Sequence, residues 1–185
     1  MIFRLTNKNY SVKVETLRQG AMVSGGEFGE VKIQSAPIFN MRIKKLSDNE
    51  SFFVSSSDGW DSVAVKQNSH GLRFCFKNPL GIDDVCIFIN ATVYDCGIYW
   101  TAEVVNDNTG YSVMEVTYPT PVMTGNHLNY FIPQNSGFVL DHAEKRNYGE
   151  EKYYPSWGIS MQYFAVYSRN NGIYIGFEDG KAASK

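Results

Sequence analysis

Ala and Leu are scarce, numbering 16 among 185 residues against 52 for Val, Ile, Phe and Tyr. The strongest helix formers are outnumbered by residues suited to a pleated, half-buried surface, which argues against a helical fold. No run approaches the roughly 18 apolar residues of a membrane-spanning helix. The opening "MIFRLTNKNYSVKV" lacks a basic stretch followed by an apolar core, so no signal peptide is read there and no membrane partner is expected. The 17 Lys and Arg are scattered and the formal net charge is −2, so the basic stripe of a nucleic-acid binder is missing. Cysteine is limited to Cys75, Cys86 and Cys96, an odd count that leaves at least one thiol free. With no export signal, this predicts buried, reduced thiols in a cytoplasmic protein.

Catalytic and metal-binding patterns are equally sparse. The histidines, His70, His127 and His142, lie in loop-like contexts, and no pair has the spacing of a zinc site. There is no P-loop, dinucleotide fingerprint or G-x-S-x-G elbow, so no cofactor is expected. The acid pairs Asp83-Asp84, Glu150-Glu151 and Glu178-Asp179 are sequence neighbours. Glycoside hydrolysis needs two carboxyls facing each other across a bond, so these read as solvated turns. "DNESFF" and "SDGWDS" lack the full calcium-loop pattern, and no metal is expected there. The sequon matches at Asn9, Asn49 and Asn90 carry no weight without an export signal.

What is present is strand after strand. "YSVKVET" places Tyr10, Val12 and Val14 on one face, with the period of two that a one-sided sheet requires. "SVAVKQNSHGLRFCFK" reads as a hairpin with a loop of about five residues, Gln67 to Gly71, and sets Leu72, Phe74 and Phe76 against Arg73, Cys75 and Lys77. In "IYWTAEVVN", Ile98, Trp100, Ala102 and Val104 share a face, which predicts Trp100 deep in the core along with Phe88 of "DVCIFINATV". Pro119 should end the strand "YSVMEVTYP". Near the end, "SRNNG" between two aromatic-rich runs reads as another hairpin. The only helical candidate is "LDHAEKRNYG", with Asp141 as cap and Gly149 as stop. Turn signals every 8 to 12 residues or so favour an all-β, twisted antiparallel sandwich of a dozen or more strands with almost no helix. A chain of 185 residues buries roughly 70% of its unfolded surface, enough for a single core, so residues 1–179 are expected to form one domain. The small polar "GKAASK" at 180–185 has the composition of a linker.

Aromatic residues in polar loops are the remaining functional signal. Trp60 in "SSSDGWDS", flanked by Asp58 and Asp61, and Trp157 in "YYPSWGIS", beside Tyr153 and Tyr154, sit among Ser, Asp, Gly and Pro. An exposed ring can stack on the C–H face of a sugar while neighbouring carboxylates take its hydroxyls. The same rings could instead cap an open end of the sandwich or pack against another domain.

"APIFNMRIKK", "IYWTAEVVNDNTGYSVMEVTYP", "NYFIPQNSG" and "YYPSWGISMQYFAVYSRNNGIYIGFEDGKAASK" follow one another in that order. This succession resembles the N-terminal domain of large bacterial glycoside hydrolases, the endo-α-N-acetylgalactosaminidase-like group and its relatives. The resemblance implies a galactose mutarotase-like supersandwich that supports a catalytic (β/α) barrel beginning beyond residues 180–185, and it makes carbohydrate and that barrel the expected partners. The alternatives are a stand-alone carbohydrate-binding module and a small epimerase. For the epimerase, "GNHLNYF" resembles a mutarotase histidine motif, but no second His and Glu complete the set.

Overall fold

The structure, a computed structural model, describes residues 1–133, 137–141 and 163–176. Among these residues the chain is all-β: seventeen strands, every registered pairing antiparallel, and no helix. The helical candidate beyond Asp141 and the expected linker at 180–185 lie outside the described residues. The described residues group into two compact units, residues 1–26 with 33–122, and residues 27–32 with those described from Met123 on.

The first unit has three sheet portions. One is β1 (Ile2–Thr6), β2 (Tyr10–Thr16) and β3 (Ala21–Phe28), with β5 (Ala36–Pro37) also on β3. The second has the order β11 (Gly97–Asn106), β10 (Val85–Tyr94), β9 (Gly71–Pro79), β8 (Trp60–Asn68). The third has the order β12 (Tyr111–Thr117), β6 (Asn40–Lys45), β7 (Ser51–Ser55). Each buries its period-two apolar face: Tyr10, Val12 and Val14 on β2; Leu72, Phe74 and Phe76 on β9; Met41 and Ile43 on β6. Fully burying one such side chain contributes about 1.5 to 3 kcal/mol, so these faces hold the sheets together. The turn of the β8–β9 hairpin is only Ser69-His70, since Asn68 pairs with Gly71, and the five-residue loop read from the sequence is corrected to two. Gly20 is required by close approach: a Cβ there would lie 2.3 Å from the Ser57 carbonyl carbon.

Two core assignments are corrected. On β10 the buried residues are Val85, Ile87, Ile89 and Ala91, of which the last three pair on β11 with Val104, Ala102 and Trp100. Directly paired residues share a sheet face, so Phe88, between Ile87 and Ile89, lies on the opposite face, against the Arg73 guanidinium at 5.3 Å. Trp100 is on the core face as read, but β11 is the edge strand, and the indole is only half-buried.

In the second unit, β15 (Phe138–Leu140), β14 (Asn129–Ile132), β16 (Tyr163–Tyr167) and β17 (Gly172–Gly176) form a sheet in that order. The expected hairpin around "SRNNG" is β16–β17, closed by the Ser168 amide donating to the Asn171 carbonyl at 2.7 Å. Val166 packs with Val31 and Leu128 in a small core flanked by Met123, Tyr130, Phe164 and Ile173.

Candidate functional site

Trp60 does not offer a ring to solvent. It is 0% exposed, opens β8, and meets Phe39 at 5.7 Å and Phe76 at 5.2 Å between ring centroids. Its indole Nε1 donates to the Ser55 carbonyl at 2.8 Å, which satisfies the one polar group it carries into the core. The exposed stacking site expected at Trp60 is therefore corrected to a core position. Asp58 and Asp61 are exposed beside it; the Asp58 carboxylate accepts from the Gly59 amide at 2.8 Å, and Gly59 has φ +85°, so this is a tight-turn device. Trp157, Tyr153 and Tyr154 lie outside the described residues.

Exposed rings occur elsewhere. In the second unit, strand register puts Asn129, Phe131, Val139, Tyr163, Ala165, Tyr167 and Tyr174 on the sheet face opposite the Val166 core. On this face the Phe131 and Tyr163 rings stack, with centroids 5.6 Å apart and planes 19° apart, and Tyr163 meets Tyr174 at 5.0 Å. Tyr174 is 67% exposed. None of these positions was singled out from the sequence. The period-two pattern of "MQYFAVY" and "GIYIG" marks the two faces, but only the register brings Phe131 and Tyr174 level with Ala165 and sets Tyr163 diagonally beside both.

In the first unit, the outer face of the β12-β6-β7 sheet is polar with one exposed ring. Phe53 on β7 stands opposite Arg42 on β6, and Arg42 stands opposite Glu115 on β12. The Arg42 guanidinium contacts the Glu115 carboxylate at 3.3 Å, and the Thr117 hydroxyl donates to the same carboxylate at 3.5 Å. A bulge between Val113 and Glu115 sets this up. Strict alternation from Val113, which faces the core opposite Ile43, would turn Glu115 inward; one extra residue, Met114, returns Glu115 to the surface and Val116 to the core face.

The groups that carry acid–base or metal chemistry are dispersed. His70 and His127 are each exposed in turns, and His142 lies outside the described residues. No group of three His, Cys, Asp or Glu side chains able to hold a metal occurs among the described residues. All three cysteines are free; Cys75 and Cys86 are half-buried and Cys96 is exposed, so the expectation of buried thiols is corrected to partial burial of two. Burial, with Cys75 beside it, pushes the Cys86 thiol pKa up. No helix among the described residues is long and apolar enough to cross a membrane. Comparison with protein families, curated proteins and solved structures returns no match for this chain.

Proposed function

We propose that this chain is a non-catalytic, carbohydrate-contacting β-sandwich that serves as an accessory domain of a multidomain glycoside hydrolase. The observation that carries the carbohydrate part is the cluster of rings Phe131, Tyr163 and Tyr174 on the sheet face opposite the Val166 core, where Phe131 and Tyr163 are half-buried and Tyr174 is exposed. A 67%-exposed Tyr presents an apolar ring for the C–H face of a pyranose and a hydroxyl for its polar edge. The Asn129 amide, on the same face, supplies a donor and an acceptor for sugar hydroxyls. The hydrolase part rests on the order of sequence segments that resembles the N-terminal domain of that group; in this reading the catalytic acids belong to the barrel.

Affinity electrophoresis through gels containing neutral polysaccharides tests the binding. Retardation of the wild-type chain that weakens roughly 2- to 10-fold in Tyr174→Ala is the expected result, since an aromatic contact is worth about 0.5 to 1.5 kcal/mol. Mobility unchanged by every polysaccharide would remove the carbohydrate reading.

A further inference from the structure

We propose that the solvent face of the β12-β6-β7 sheet, with the groove along β12, binds an acidic oligosaccharide, a sugar chain that carries carboxylates. The proposal rests on the carbohydrate reading above and adds a charge-selective subsite confined to the first unit.

Three cross-strand rows build this face. The central row is Phe53, Arg42, Glu115; one flank is Ser55, Asn40, Thr117 and the other is Ser51, Lys44, Ser112. A single large ring, 72% exposed at Phe53, is thus surrounded by hydroxyls, an amide and charged groups. That is the composition a sugar needs: one apolar surface for its C–H face and several hydrogen-bonding partners around it. Isolated on an edge strand, Phe53 adds nothing to the core, whose side of β7 is occupied by Val54.

Charge selects the kind of sugar. Glu115 is neutralised in place by Arg42 and held by Thr117, so it does not repel an anion. Lys44 makes no ion pair among the described residues, which leaves the face with one uncompensated positive charge. Lys44 and Phe53 are diagonal neighbours, about 7 to 8 Å apart at their Cα atoms, so one sugar stacked on the ring brings a carboxylate substituent to the ammonium. From β7 to β12 the face spans two strand spacings, roughly 10 Å, which accommodates a second sugar over Arg42 and Glu115. Beyond it, along the β12 edge, lies a shallow open groove of ≈ 320 Å³ lined by Val104, Asn106, Ser112, Val113, Met114, Glu115 and Val116. The ligand is therefore a chain, running across the strands, rather than a single sugar.

Isothermal titration of the full chain with oligogalacturonate, a neutral cello-oligosaccharide of equal length and a sulfated chondroitin fragment tests this. Phe53 and Lys44 are surface positions, and thermal melts of Phe53→Ala and Lys44→Gln establish that both variants stay folded. Oligogalacturonate should bind saturably at low salt, roughly 10-fold more weakly in Phe53→Ala and roughly 5-fold more weakly in Lys44→Gln, with no change in Tyr174→Ala. No saturable binding of oligogalacturonate, binding that survives in the Phe53→Ala/Lys44→Gln double variant, or tighter binding of the sulfated fragment would each overturn the proposal. Neutral-sugar binding lost in Tyr174→Ala without any acidic-sugar binding would remove this site alone, whereas the converse pattern would remove the ring cluster of the second unit.

Discussion

The Trp60 indole donates to the Ser55 carbonyl at 2.8 Å across a four-residue turn whose exposed residue is Asp58, while its ring packs edge-on against Phe39 and Phe76, which also meet each other at 5.0 Å. A polar loop is thereby stapled to the centre of the first unit. Trp60→Ala should cost on the order of 3 to 5 kcal/mol, because a fully buried large ring leaves a cavity. Trp60→Phe should cost less, about 1 to 3 kcal/mol, mostly from the orphaned Ser55 carbonyl. Urea midpoints measure both; near-wild-type midpoints for Trp60→Ala would mean that the ring is not in the core.

Tyr10 makes a second cross-connection. Its hydroxyl faces the carbonyl oxygens of Tyr94 and Gly97 at 2.9 and 2.6 Å and ties β2 to the β10–β11 turn. Tyr10→Phe should destabilise the chain by roughly 1 to 2 kcal/mol. Burial raises the Tyr10 pKa above its ordinary 10.0. A raised folded-state pKa means the neutral form is favoured in the fold, so this contribution is fully present below the unfolded pKa and is lost as pH rises through the folded one. Chemical denaturation from pH 8 to 11 should show an alkaline loss of stability that is smaller in Tyr10→Phe; equal losses in both proteins would contradict this.

The face assignment on β10 predicts an unequal pair. Ile89, fully buried, should cost about 2 to 5 kcal/mol on truncation to Ala. Phe88, larger but half-buried on the Arg73 side, should cost clearly less. If Phe88→Ala is the more damaging variant, the register of β9, β10 and β11 is wrong.

Alternation made most of the fold readable. Tyr10, Val12 and Val14, or Leu72, Phe74 and Phe76, stand against polar neighbours, and the structure buries them as the period of two requires. "VCIFINATV" carries no such contrast, because Ile87, Phe88 and Ile89 are all apolar, and only pairing with β9 and β11 decides which of them faces the core. Trp60 misled for a different reason. Its sequence neighbours are turn residues, but its burial is set by Phe39 and Phe76, which come from distant segments of the chain. The candidate faces were illegible for the same cause: Phe53, Arg42 and Glu115 come from three separate strands, and a bulge at Met114 completes their row.

The thiols should react in a defined order. Cys96 is exposed in the turn between β10 and β11, whereas Cys86 is half-buried with its pKa pushed up, so less of its reactive thiolate is present at neutral pH. Timed alkylation at pH 7.5 followed by peptide mass spectrometry should label Cys96 first and Cys86 well after it. Faster labelling of Cys86 would mean that β10 is not shielded as described.

The central claim, a carbohydrate-contacting sandwich without chemistry of its own, is tested most directly by one nuclear magnetic resonance titration of the chain with neutral oligosaccharides. Saturable shifts that cluster on Asn129, Phe131, Tyr163 and Tyr174 are predicted, with the sugar resonances showing no hydrolysis and no accelerated anomer exchange. Shifts absent at all sugar concentrations, or sugar resonances that convert at a rate set by the protein concentration, would contradict the account.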